Sequence, residues 1–130
     1  MKILIVEDEP IMLNSLMEKF TQEGFEAIQA MDGEEGLKKA LEVHPDLILL
    51  DILLPKMDGL KMLEKLRQDE WGSDAKVIIL TNVDDAARVA QAMKAAKMNE
   101  SGLLTYLVKT GHSLENVVEE VKKQLQLTKS

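Results

Sequence analysis

No cysteine occurs anywhere in the 130 residues, which excludes disulfides, thiolate metal centres and thiol nucleophiles and leaves the redox compartment open. Aromatic residues are almost as scarce, at 3% of the chain, so aliphatic side chains and the eight methionines must fill the core. Only two histidines are present, His44 and His112; neither has a companion at metal-ligand spacing, and both are expected at the surface. Positive charge is in short supply: 16 lysines and arginines face 23 aspartates and glutamates, for a formal net charge of −7. Such a surface repels phosphate backbones and anionic lipid, so direct nucleic-acid binding and membrane association are not expected. Long hydrophobic runs are missing too. The apolar start at Met1 to Val6 stops at Glu7, too soon for a signal peptide or a membrane span, and a cytoplasmic location is expected.

What the chain does have is a set of short apolar runs, each ending abruptly at a polar residue. Ile3 to Val6 stops at Glu7, Leu47 to Leu50 at Asp51, and Val77 to Leu80 at Thr81. Leu103 to Val108, interrupted by Thr105, stops at Lys109. Continuous runs of this length suit strands buried on both faces, as in a parallel sheet. A weaker run from Glu26 to Met31 alternates more and is expected nearer an edge.

Helical patterns separate the runs. Residues 10–23 open on Pro10, place Leu13, Leu16, Met17 and Phe20 at helical spacing, and end at Gly24. Residues 33–43 carry Leu37, Ala40 and Leu41 and stop before Pro45. A third helix follows Asp58-Gly59 with Leu60, Leu63 and Leu66, and a fourth, alanine-rich, is expected over 84–98. The last, over 113–127, places Leu114, Val117, Val118, Val121 and Leu125 on one stripe, with Glu115, Glu119, Glu120, Lys122 and Lys123 on a solvated face. Five alternations of strand and helix predict a doubly wound α/β sandwich with right-handed crossovers. A chain this long makes one domain, expected over 1–127, with 128–130 as a tail.

In open α/β sheets ligands bind beyond the carboxyl ends of the strands. Glu7 and Asp8 follow the first run, Asp51 the third, Thr81 the fourth and Lys109 the fifth, so all five belong to one sheet edge. Three carboxylates and one ammonium leave about two net negative charges in a partly dehydrated cleft, which calls for a cation. A hard divalent ion such as Mg²⁺ accepts oxygen ligands of this kind. The metal and Lys109 would balance charge on an incoming phosphoryl group, and Asp51 is the candidate nucleophile. Each residue also has a plainer explanation: Asp8 as a cap for the first helix, Asp51 as the start of a turn, Thr81 and Tyr106 as ordinary strand residues, and Lys109 as a solvated strand end. It is their occurrence together, at four strand ends, that favours a site.

The chain resembles the receiver domains of two-component response regulators from Met1 to about Leu127. Val6-Glu7-Asp8-Glu9-Pro10 is similar to that family's acidic pair, and Asp51-Ile52-Leu53-Leu54-Pro55-Lys56-Met57-Asp58-Gly59 to its phospho-acceptor loop. Leu80-Thr81 is similar to its switch threonine, and Tyr106-Leu107-Val108-Lys109 to its switch aromatic and lysine. The resemblance implies a flavodoxin-like (βα)5 fold with strand order 2-1-3-4-5. It implies that Asp8 and Asp51 bind Mg²⁺ directly, that Leu53 lends its backbone carbonyl, and that Glu7 acts through water. Asp51 would accept a phosphoryl group from a sensor histidine kinase or phosphotransfer protein. Thr81 would then close on that group while Tyr106 turns inward, altering the face of the fourth helix, fifth strand and fifth helix for a downstream protein target or a homodimer.

Three departures from the pattern stand out. Thr81 and Lys109 are 28 positions apart, several more than is usual in such domains, so the segment around Lys94 to Leu104 is expected to be lengthened. Thr110 follows the lysine where proline is usual, and the bond is expected trans because a non-proline cis bond costs about 3 kcal/mol. Asn82 is bulkier than the residue usual beside the switch threonine and is expected to slow access to an acyl phosphate. A Mg²⁺-dependent aspartyl-phosphate hydrolase would want Asp-x-Asp after the first strand, which Glu7-Asp8-Glu9 does not supply. A flavin module would want a glycine-rich phosphate loop where Glu7-Asp8-Glu9-Pro10 repels phosphate. A receiver-like interaction module that is never phosphorylated would have no use for the acidic set. The expectation is therefore a signalling domain and not an enzyme.

Overall fold

The computed structural model describes residues 1–51, 56–57, 59–81, 87, 104–108 and 114–125, with the backbone alone at Thr81 and residues 104–108. Five parallel strands form one sheet in the order β2-β1-β3-β4-β5. They are β1 Lys2–Val6, β2 Glu26–Ala30, β3 Leu47–Asp51, β4 Val77–Thr81 and β5 Leu104–Val108. The described helices of more than one turn are α1 Pro10–Gln22, α2 Gly33–Val43, α3 Gly59–Arg67 and α4 Leu114–Gln124, the last being the helix read from the sequence as the fifth. The helix expected over 84–98 lies, apart from Ala87, outside the described residues.

Strand parity assigns each apolar side chain to a layer. Leu4, Val6, Ile48, Leu50, Val77 and Ile79 pack with Met62, Leu63 and Leu66 of α3 on one face. Ile3, Ile5, Leu47, Leu49, Ile78 and Leu80 pack with Leu13, Leu16 and Phe20 of α1 and Val117, Val118 and Val121 of α4 on the other. All five residues of β3 are buried, as a central strand covered on both sides requires. β2 is an edge strand: Glu26 and Gln29 are exposed and Ala30 is buried. This is the doubly wound, flavodoxin-like arrangement.

Helix boundaries follow local chemistry. Pro10 opens α1, and Gly24, at φ 94°, takes up the left-handed turn after it. α2 starts on Asp32, whose Oδ1 accepts from the Glu35 N–H at 2.8 Å, while Glu35 Oε1 accepts from the Met31 N–H at 2.8 Å. It ends on His44, which adopts φ 54° where glycine is the commoner choice. His44 stays exposed, as expected, but its ring lies parallel to Trp71 with centroids 4.3 Å apart.

The face of α4 read as solvated is partly an interhelical one. Lys122 Nζ lies 2.8 Å from Glu23 Oε1 on α1's C-cap, and Glu115 Oε1 lies 3.3 Å from Lys19 Nζ. Periodicity alone did not place α1 opposite these charges. Among the described residues, no helix is long and apolar enough to cross a membrane.

Candidate functional site

The parallel register decides which carboxylates meet. Val6 pairs with Leu50, so the next step places Glu7 beside Asp51. Glu7 continues the Ile3–Ile5 series and Asp51 the Leu47–Leu49 series, so both point from the same face of the sheet. The Glu7 N–H donates to the Ala30 carbonyl at 3.0 Å, which extends the β1–β2 ladder one residue beyond the strand. Glu7 is 2% exposed and Asp51 7%, and they are the only buried polar or charged residues among those described.

Asp8 joins them from the loop. Each of Glu7, Asp8 and Asp51 offers a carboxylate oxygen, and these oxygens lie within 4.8 Å of one another. The reading of Asp8 as a mere helix cap is corrected by the structure: Glu9 is the cap. Its Oε2 accepts from the Met12 N–H at 2.7 Å and its Oε1 from the Ile11 N–H at 3.1 Å. Asp8 is exposed and is turned to the cluster instead of to the helix. Two buried carboxylates and one open to solvent, all hard oxygen donors, fit a small divalent cation that keeps part of its water shell.

Of the other residues singled out from the sequence, Thr81 is the last residue of β4 and Tyr106 the middle residue of β5. Asp51 pairs with Leu80, so Thr81 stands one step beyond it on the neighbouring strand. Thr81 in turn pairs with Val108, and Ile79 with Tyr106. The side chains of Thr81 and Tyr106, and the whole of Leu53, Asn82, Lys109 and Thr110, lie outside the described residues, so the lengthened segment and the Lys109–Thr110 peptide do too.

The sequence matches the response regulator receiver domain over residues 3–122. The chain belongs to that family. Its relatives include the sporulation initiation phosphotransferase F of Bacillus subtilis, 32% identical over 97% of this chain and 94% of that protein. Another is the DNA-binding dual master transcriptional regulator RpaA of Synechocystis, 32% identical over 98% of this chain; the receiver spans 50% of that protein's length. Among solved structures, the response regulator protein TrrA of Thermotoga maritima, in complex with Mg(2+)-BeF, is 35% identical with a TM-score of 0.76, covering 95% of this chain and 97% of that one. The chain is thus a phosphoryl-accepting receiver domain of two-component signalling.

Around the receiver's acidic cluster, sequence reasoning missed one group of residues. Lys56, in the loop after β3, adopts φ 64° and lies 3.6 Å from Asp32 at the start of α2. Gly33 sits so close to Met57 that a β-carbon there would overlap the Met57 carbonyl oxygen and lie 2.7 Å from its carbon. No local pattern announces this contact. The Asp32-Gly33 pair reads only as a helix start, which it also is.

Proposed function

We propose that Asp51 is the phospho-acceptor and that the chain works as a Mg²⁺-dependent receiver for a sensor histidine kinase or phosphotransfer protein. The observation that carries this reading is the convergence of Glu7, Asp8 and Asp51 at the carboxyl ends of β1 and β3. Asp8 and Asp51 would hold the metal, with Glu7 acting through water and the Leu53 carbonyl as a further ligand. When bound, Mg²⁺ supplies positive charge against the phosphoryl oxygens. An Asp51 carboxylate oxygen attacks the phosphorus of a phosphohistidine. The new O–P bond forms as the N–P bond breaks, and the electron pair returns to the imidazole nitrogen, which takes up a proton. On the family pattern, Lys109 balances charge on the transferred group and Thr81 closes on it. Tyr106 turning inward would then report the change to a downstream protein at the face of the fourth helix, fifth strand and fifth helix.

A role as signalling partner agrees with the match to the receiver-domain family over residues 3–122. The test is labelling with a small acyl-phosphate donor in Mg²⁺, read by intact mass. Wild type should gain one phosphoryl group and Asp51→Asn none. An equal mass gain in the variant overturns the assignment.

A further inference from the structure

Val6, just before Glu7 and Asp8, and Lys56-Met57, a few residues beyond Asp51, both rest on the start of α2. Gly36 faces Val6: a β-carbon there would lie 3.0 Å from both Val6 methyl carbons and 3.1 Å from Met62 Sδ. Gly33, buried one turn earlier, faces the Met57 backbone at closer than van der Waals distance for any added carbon. The corner itself is stiff, because Asp32 and Glu35 each accept a backbone N–H across it at 2.8 Å. Asp32 also places its second oxygen, Oδ2, 3.6 Å from the Nζ of Lys56, whose own backbone is left-handed.

We infer that the first turns of α2 form a positioning element for the acceptor pocket. Gly33 and the Asp32–Lys56 pair fix where the loop beyond Asp51 lies relative to Glu7 and Asp8, without touching metal or phosphoryl group. The absence of a side chain at Gly33 lets the loop seat against the helix. A methyl group there displaces the Met57 backbone, because a carbonyl cannot yield as a flexible side-chain tip would. The ion pair adds direction. It is weak by its exposure, Lys56 being 64% exposed at the side chain and Asp32 17%, so its effect should be graded and salt-dependent.

The inference deepens the receiver reading and rests on it for the labelling measurements, whereas its Mg²⁺ measurements stand alone. Mg²⁺ affinity is read by calorimetric titration, labelling rate with the acyl-phosphate donor, and folding by thermal melting of each variant. Gly33→Ala should weaken Mg²⁺ binding about 10- to 100-fold, the range for groups that orient ligands without being ligands. Lys56→Met should slow labelling about two- to fivefold with an unchanged melt, and Lys56→Arg should restore the rate. Asp32→Asn keeps the helix cap yet removes the charge, so it should match Lys56→Met, and the double variant should lose no more than either single one. A folded Gly33→Ala with wild-type Mg²⁺ affinity overturns the inference, as do additive losses in the double variant. Should Gly33→Ala not fold, the Asp32–Lys56 cycle decides. Should wild type take no label, the receiver reading of Asp51 fails, and Mg²⁺ affinity across the same variants decides the positioning role.

Discussion

Replacing Asp51 by asparagine removes one member of a set of mutually repelling carboxylates, and the structure bounds the consequence. Glu7 and Asp51 are both buried, and their nearest oxygens are no more than 4.8 Å apart. At an effective dielectric constant of about 20, two unit charges at that distance repel by about 3.5 kcal/mol. Asp8 is exposed, and with water between, each of its pairs adds about 0.9 kcal/mol. At that separation the ionised cluster opposes folding by about 5 kcal/mol before any nearby cation compensates it, a large share of the stability of an ordinary domain. Asp51→Asn relieves about 4 kcal/mol of this but exchanges a carboxylate for an amide whose hydrogen bonds fit less well, at a cost of about 1–3 kcal/mol. The metal-free variant should therefore melt above metal-free wild type, by roughly 4 °C for each net kcal/mol.

Mg²⁺ reverses the order of the responses. At ten times its dissociation constant, a ligand that binds only the folded chain adds about 1.4 kcal/mol, or about 5–6 °C. Wild type should show that rise, and Asp51→Asn should show little of it, because the site has lost a charged ligand. Far-UV circular dichroism melts, with and without Mg²⁺ and with ionic strength matched by NaCl, measure both effects while holding general screening constant. Equal Mg²⁺ shifts in the two proteins, or a metal-free variant that melts well below wild type, would refute the claim that repulsion among these three acids is what the cation relieves.

Two further outcomes test the frame that holds the site. Lys122 hydrogen-bonds Glu23 at 2.8 Å, and that bond, followed by the charges of Lys122 and Lys19, holds the Glu23 carboxyl below its ordinary 4.5. With the folded value below the unfolded one, the contribution is complete above pH 4.5 and is lost as pH falls through the lowered folded value. The melting-temperature difference between wild type and Lys122→Met should accordingly shrink as pH drops below 4.5, and a constant difference would contradict the pairing. Arg67 donates from Nη1 to the carbonyls of Gly72 at 2.8 Å and Ala75 at 2.7 Å, although burial lowers its pKa by disfavouring its charge. Arg67→Met should cost about 2 kcal/mol in urea unfolding by taking the guanidinium donor away from those carbonyls, with labelling at Asp51 unchanged once the protein is folded.

The sheet was legible because burial on both faces leaves uninterrupted apolar runs, and the runs of β1 and β3 stopped at the acidic cluster. β2 was legible as an edge for the opposite reason, since Glu26 and Gln29 break its run. The acids were legible because each followed a run directly. The cap was not, because N-cap preferences favour aspartate over glutamate, whereas Glu9, directly before Pro10, is the residue whose carboxylate accepts from the Ile11 and Met12 N–H groups. The stacking of His44 on Trp71 and the seat of Met57 on Gly33 join residues far apart in sequence. Such contacts follow from how the layers close, and no window along the chain contains both partners.

The site itself reduces to parity. In β1 and β3, residues of one parity line the layer with α1 and α4 and residues of the other line the layer with α2 and α3. Glu7 and Asp51 both fall on the first parity, and the Val6–Leu50 register sets them side by side. A one-residue insertion within either strand would carry its acid to the opposite layer and dissolve the cluster, while the apolar runs would still be read as strands. An apolar residue at Glu7 or Asp51 would bury more favourably than a charge does, so packing gives no reason for an acid at either place. On the proposed reading, a cation and a phosphoryl group account for two acids at adjacent register positions in this interior.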